Sequence, residues 1–409
     1  MKKLQKILCV VLGLIMLVGM MSACSSRGSS GEKTVIEVAV NQWDAVNLQL
    51  KDYYDNYLSK ELNLEFIYSD ASGDVEAITK FVQNAWAAGA VALMDFATQN
   101  LSDVEPVAAK CNELGMYFTT YYQGSEEILA KYDTAVACVA SEDVTLADKF
   151  AAEVKSLIDD GEAHSMVVLP LAAQYGNIQQ TYASIGAVKA FSEVYGFNLS
   201  DEDIKERVTK EKNNYIKSDI TGREDVKVAI DAKTDAETLS TILKTGEYDV
   251  VVISGNLYTR FQQTILEAEQ AIGKDIKVVA MTGIEDATQS SFTTMDPFGN
   301  PSLNIAVLTP ATRAGATLGV MLNAINGDMD AVRVDGKPVM YAYPVWACRS
   351  ADEYQAMGLI DTAPEYYMFT ADEIKLMVKK YTENVDPEYL SSFIAEYGTA
   401  ESVRERRGF

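Results

Sequence analysis

From Thr34 onward, short β-branched runs alternate with amphipathic helical patterns, and this alternation constrains the chain more than any other feature. Strand-like runs at Val35–Val40, Leu64–Tyr68, Val91–Phe96 and Met116–Tyr122 are separated by helix-spaced apolar residues, from Val46 to Leu62, Val75 to Ala85 and Val104 to Leu114. Gly89 and Gly115 stop the second and third of these helices. Such β/α alternation predicts parallel sheets with crossover helices. Gly124-Ser125 breaks the pattern, which then restarts with strands at Ala135–Ala140, Met166–Leu171, Val226–Ile230, Val250–Ile253, Ile276–Met281 and Leu303–Leu308. Helical patterns lie between them, at Leu146–Ile158, Gln179–Tyr195, Thr238–Leu243 and Phe261–Ile272, with Ala314–Ile325 behind the last. Asp201–Gly222 is strongly charged and is expected to form an exposed insertion with some helix; Val339–Cys348 adds one or two strands, and the acidic, Tyr-rich remainder reads as short surface helices. The fold class expected is α/β, with two successive Rossmann-like lobes.

Charge narrows the function. Lys and Arg number 35 against 59 Asp and Glu, a formal net charge of −24, which argues against a surface that neutralises nucleic-acid phosphates. A single His among 409 residues removes most His-based zinc sites and leaves any Ser-His-Asp or Cys-His mechanism dependent on His164. That residue precedes a strand, at the end away from an α/β ligand site, and reads as a solvated loop His. Neither a Gly-x-Ser-x-Gly elbow, a His-Glu-x-x-His helix nor a Walker lysine loop is present. Asn326-Gly-Asp328-Met-Asp330 has alternating oxygen ligands, but Ala331 stands where a calcium loop needs Gly, so a helix cap and turn explain it better. No metal and no cofactor are expected.

The first residues set the compartment. Lys2, Lys3 and Lys6 precede an apolar run, Ile7–Met21, too short for the ~20 residues of a membrane helix and ended by small residues. Residues 1–23 read as a signal peptide. Met21-Ser22-Ala23-Cys24 resembles the lipobox of bacterial lipoproteins, with Met in place of the usual Leu, which makes Cys24 the expected lipidation site and 24–33 a flexible anchored linker. An ordinary secreted chain is the alternative. Removal of three Lys and no acid carries the net charge to −27. Cys111, Cys138 and Cys348 fit no metal spacing and read as small buried hydrophobes, a single disulfide remaining open.

The order of elements resembles that of the type I periplasmic binding proteins, in particular the sugar-binding, ribose-binding-protein-like group of ABC transporter receptors, over roughly residues 34 to 343. Ser69-Asp70-Ala71 is similar to the family's D-A-x-x-D segment, and the run Val-Ala-Cys-Val-Ala-Ser-Glu-Asp at 136–143 to its I-A-S-D-N. Gly186–Phe191 resembles a helix ending in Gly-Phe, Val252–Asn256 a strand ending in Asn-Asp, and Val278–Gly283 the V-V-G-F-D-G run. Ile305–Pro310 stands where the chain re-enters the first lobe. The resemblance implies two lobes joined by a three-crossing hinge, near Tyr122–Gly124, Thr282–Leu308 and Gly327–Val332. The N-terminal lobe would comprise 34–122 and 306–327, and the C-terminal lobe 123–305 and 328–409 with a C-terminal extension.

In open parallel sheets ligands bind at the carboxyl ends of strands. The loops there point to Asn41, Gln42, Trp43, Tyr121, Tyr122, Gln174, Tyr175, Asn256 and Thr282 as ligand-binding residues, with Asp70, Thr98 and Asn177 beside them. Flat aromatic faces suit sugar or nucleoside rings, and amides serve hydroxyls in either sense. Each aromatic has a packing alternative: Trp43 as core or hinge, one of Tyr121 and Tyr122 turned inward by strand alternation, and Asp70 as a helix cap. The family's Asp-Arg pair after the fourth strand is Tyr121-Tyr122 here, its helix Arg is missing, and Thr282 and Val307 replace an Asp and a Gln, which favours a bulkier, less polar solute.

What the resemblance implies is a non-enzymatic, extracytoplasmic solute-binding lipoprotein of an ABC importer. It would capture a small neutral solute (sugar, sugar derivative or nucleoside) by hinge closure and deliver it to ABC permease transmembrane subunits. It would be a monomer held on the outer face of the cytoplasmic membrane, or the periplasmic side of a two-membrane envelope, with no nucleic-acid partner. The alternatives are a ligand sensor read by a membrane receptor kinase or chemoreceptor, and an exported hydrolase.

Overall fold

The computed structural model describes residues 33–158, 161 and 163–408. Residues 1–23, Cys24 and nearly all of the expected linker lie outside the described residues. None of the described helices is long and apolar enough to cross a membrane.

The first lobe is built on β1 (Thr34–Val40), β2 (Leu64–Tyr68), β3 (Ala92–Phe96), β4 (Tyr117–Thr120) and β5 (Ala135–Ala140). Between them run α1 (Ala45–Asp52), which continues as a π-helical turn over Tyr53–Leu58, then α2 (Val75–Ala87) and α3 (Leu101–Leu114). The second lobe begins with α4 (Asp143–Ile158) and carries β6 (Ser165–Leu169), α5 (Ile178–Tyr195), α6 (Asp201–Val208), β7 (Asn214–Ile216) and β8 (Lys227–Ile230). It continues with α7 (Ala236–Leu243), β9 (Val250–Ile253), α8 (Tyr258–Ile272), β10 (Lys277–Thr282), α9 (Asp286–Thr293) and β11 (Ile305–Leu308). The chain then crosses to α10 (Ala314–Ile325) and β12 (Met340–Ala342), and crosses back to β13 (Trp346–Cys348). Helices α11 (Ala351–Thr362), α12 (Ala371–Leu376), α13 (Pro387–Tyr397) and α14 (Ala400–Arg407) complete it.

One sheet has six parallel strands in the order β12-β5-β4-β3-β1-β2; the other has seven, β13-β11-β10-β9-β6-β8-β7, with only the two edge strands antiparallel. The order reverses beside β1 in the first sheet and beside β6 and β9 in the second, the arrangement that opens a crevice at the strand ends. Both faces of each sheet are covered. In the first lobe Ile36, Val38 and Val40 pack with α1 and α10, while Ala39 and Leu93 pack with Ile78 and Val82 of α2 and Val104 of α3. In the second, Val168 and Val252 meet Phe150 and Phe191, and Val167 and Val251 meet Leu239 and Phe261. Helices α4 and α5 cross closely because Gly186 has no side chain: a Cβ there would lie 2.1 Å from the Ala147 carbonyl oxygen.

The crossings differ from expectation. β5 pairs with β4 in the first sheet and β11 with β10 in the second, so the chain changes lobe between β5 and α4, between β11 and α10, and between β12 and β13. The boundaries expected at 122/123, 305/306 and 327/328 therefore move to about 140, 308 and 343. The charged 201–222 stretch also does more than expected: Ile204, Val208 and Ile216 are buried, and Asn214–Ile216 closes the sheet edge.

The last sixty residues pack chiefly on the first lobe. α12 lies on α10 and α13 on β12, whereas α11 touches α1 on one side and α9 and β13 on the other. The Tyr53 hydroxyl donates to the Phe369 carbonyl, and Asn323 joins α10 to the chain after α12 by donating to Met377 O at 2.8 Å and accepting from Lys379 N at 2.8 Å. Cys111, Cys138 and Cys348 are all buried. His164 sits by Asp225, its Nδ1 4.0 Å from Oδ2, at the amino end of β6. Gly327 ends α10 with φ +90°, so the 326–330 run is a cap and turn.

Candidate functional site

The carboxyl ends of both sheets face one cavity of about 380 Å³. From the first lobe come Asn41, Gln42, Asp44 and Asn47 after β1, Phe96 and Gln99 after β3, and Tyr121 after β4. From the second come Asn177, Gln179 and Gln180 at the start of α5, Asn256 after β9, and Thr282 and Gly283 after β10. Arg313 enters on the crossing that follows β11.

Local hydrogen bonding fixes most of these side chains. Asp44 caps α1 through Oδ1, which accepts from Asn47 N at 2.9 Å, while its Oδ2 accepts from Gln42 Nε2 at 2.8 Å. Beneath the β3 loop, buried Asp95 accepts from Ala97 N at 2.9 Å and Thr98 N at 3.1 Å, which holds the turn that presents Gln99. Burial pushes the Asp95 carboxyl up against the pull of these donors. Gln99 donates weakly to the Tyr121 hydroxyl at 3.4 Å, and the Phe96 and Tyr121 rings lie 6.4 Å apart, making an aromatic wall. Burial also raises the Tyr121 phenol, which keeps it neutral.

The second lobe is organised around Asn256. Its Oδ1 accepts from Thr282 Oγ1 at 3.1 Å and Gly283 N at 3.3 Å, and its Nδ2 donates to Glu285. Asn177 caps α5 by accepting from Gln180 N at 3.0 Å, and Gln180 Oε1 accepts from Ala172 N at 2.6 Å. Arg313 Nη1 donates to Pro310 O at 2.7 Å. Its loop is held from far along the chain: the buried Asp361 carboxylate of α11 accepts from Ala311 N at 2.7 Å and Thr312 N at 2.9 Å.

The lobes touch at both rims. Gln49 Nε2 donates to Ile284 O at 2.8 Å, and the Tyr122 hydroxyl donates to Gly176 O at 3.2 Å. Gly283 admits this approach, since a Cβ there would stand 2.2 Å from Val46 Cγ2. The structure is thus a lobe-contacting form enclosing a polar cavity.

Of the residues expected at the site, Asn41, Gln42, Tyr121, Asn256 and Thr282 line the cavity. Four do not. Trp43 packs edge-on to Tyr68 at 5.8 Å against the core, because the β1 loop turns it away. Tyr122, 6% exposed, packs into the first lobe's core just past the end of β4, with its hydroxyl at the lobe rim on Gly176 O. Gln174 donates to Ala232 O at 3.1 Å within its own lobe, and Tyr175 is 73% exposed in the 3-10 turn that follows β6. Asp70 is exposed and not a cap; Asp74 caps α2 instead. The cavity lining carries two charged residues that were not among those expected there, Asp44 and Arg313, and Asp70 does not reach it. Asp44 could have been found as an N-cap before a helical pattern; Arg313 follows the expected Ile305–Pro310 crossing, but its place at the cavity rests on Asp361, far along the chain.

No family model matches the sequence, and no curated protein matches it. Solved structures do match in fold. A twin-arginine translocation pathway signal protein from Burkholderia phytofirmans superposes with a TM-score of 0.57 at 14% identity, covering 81% of this chain and 94% of that one. An ABC transporter solute-binding protein from Burkholderia graminis in complex with D-arabinose gives 0.54 at 9% identity, over 79% and 97% of the two chains. An ABC transporter periplasmic solute-binding protein from Actinobacillus succinogenes with bound D-allose gives 0.54 at 12% identity, over 79% and 99%. What this chain shares with these proteins is the fold, the two-lobed α/β architecture of the type I periplasmic binding proteins.

Proposed function

We propose that the protein captures a small polyhydroxylated solute, a sugar or sugar derivative, between its two lobes without transforming it. The observation that carries this reading is the cavity lining: amides and hydroxyls from both lobes, an aromatic wall on one side, and Asp44 as the only carboxylate lining it among the described residues. Amides donate and accept, so they suit a ring of hydroxyls, while an aromatic face covers its apolar C–H surface. A lone carboxylate that caps its own helix leaves glycoside hydrolysis without its second acid. The fold neighbours described with D-arabinose and D-allose agree in ligand class.

Delivery to the transmembrane subunits of an ABC permease, anchoring through lipid on Cys24, and a monomeric state complete the proposal. Capture of the solute favours the closed arrangement, which a permease recognises. A thermal-shift screen of pentoses, hexoses, alditols and nucleosides tests it. One sugar class raises Tm, by ~2.7 kcal/mol of stabilisation at a hundred times Kd, and is recovered unchanged. Turnover of the solute, or stabilisation by nucleosides alone, refutes the reading.

A further inference from the structure

Away from the cleft, at the amino ends of the second sheet's strands, three carboxylates converge from separate segments. Glu269 lies near the end of α8, Asp275 in the turn before β10, and Asp296 in the loop before β11. One oxygen of each lies within 4.8 Å of the others. Glu269 is 2% exposed; its Oε1 accepts from Ile276 N at 2.9 Å, but its Oε2 has no hydrogen-bond partner among the described residues. A buried carboxylate with one oxygen unpaired, clustered with two further acids, is costly unless something positive meets it.

The remaining contacts define the charge. Asp296 Oδ1 accepts from Phe298 N at 2.8 Å and Asn300 N at 2.7 Å. Asn300 Nδ2 donates to Asp275 Oδ2 at 3.0 Å and to Asp296 Oδ2 at 3.4 Å. Lys277 Nζ, 2.6 Å from Asp275 Oδ2, supplies one positive charge against three acids. Asp275 and Asp296 also meet side chain to side chain, a contact between two carboxyls that a shared proton or a cation must bridge.

We propose that Glu269, Asp275 and Asp296 hold a calcium ion that ties the end of α8 to the starts of β10 and β11. Calcium takes oxygen ligands at about 2.3–2.6 Å, so its ligand atoms lie within ~5 Å of one another, as they do here. Magnesium, with bonds of ~2.1 Å and a reluctance to shed water, needs a tighter octahedron. The ion would act on the stability of the second lobe, not on the solute cavity.

The test is a calorimetric titration of chelator-treated protein with calcium chloride, with melting followed in parallel. A single site is expected, with a Tm rise of several degrees at millimolar calcium and a weaker response to magnesium. Glu269→Gln, which keeps the shape of the side chain, should weaken calcium binding on the order of tenfold or more and remove the Tm rise. Asp296→Asn should do the same. Neither change should alter affinity for a sugar that stabilises the parent. Absence of heat and of a Tm shift at millimolar calcium overturns the proposal. So does a Glu269→Gln protein that binds calcium as the parent does, or tighter binding of magnesium than of calcium.

Discussion

The two lobes present different chemistry to one cavity. The first lobe offers flat surface, Phe96 and Tyr121, with a few polar groups that mostly satisfy one another, such as Gln42 with Asp44. The second offers a lattice of amides and hydroxyls centred on Asn256, whose two ends are held by Thr282, Gly283 and Glu285 before any solute arrives. Stacking tolerates many ring stereochemistries, whereas directed hydrogen bonds reject those whose hydroxyls point elsewhere. For the sugar proposed as ligand, the difference would place general affinity in the first lobe and discrimination in the second.

The contrast can be broken at its strongest point first. Asn256→Ala removes the amide that organises two loops, and should weaken sugar binding on the order of a hundredfold by calorimetry, with the largest losses for the preferred stereoisomer. Phe96→Ala should cost about 1 kcal/mol, roughly fivefold to tenfold, and similarly for every sugar that binds. Equal, stereochemistry-blind losses from both variants would erase the division of labour. The smallest effect on affinity, none, is expected from Glu37→Gln, a change in the strand beneath the first lobe's face. Glu37 is fully buried, and burial, then Asp95, push its carboxyl from 4.5 up to about 9. The folded state therefore holds a proton that the unfolded chain has released, so parent stability falls as pH rises between about 4.5 and 9. Glu37→Gln should lack that decline, which melting curves across this window would show.

Much of the architecture was legible because periodicity reports it directly. Val250–Ile253 is a continuous apolar strand and Val35–Val40 is apolar except for Glu37, as expected for sheets covered on both faces, and the loops after them supplied Asn41, Gln42 and Asn256. Lobe membership was not legible. Ala135–Ala140 reads the same whether it pairs with β4 or opens a new sheet, because an apolar run carries no record of its partner. Asn214–Ile216 was hidden for a related reason: three residues at a sheet edge, with Tyr215 exposed, leave no alternation to see. Arg313 was missed because its position rests on Asp361, 48 residues further on, and only the folded extension brings the two together. Trp43 misled through its type, since an aromatic after a strand is packed or exposed to ligand with the same sequence signature.

The central claim is capture between lobes, and small-angle scattering with and without a stabilising sugar tests it most directly. The expected result is a radius of gyration that falls on saturation, with a midpoint that follows the calorimetric Kd in the parent and shifts with it in Asn256→Ala. Calorimetric binding that leaves the radius of gyration unchanged, with Asn256→Ala matching the parent's affinity, would contradict it.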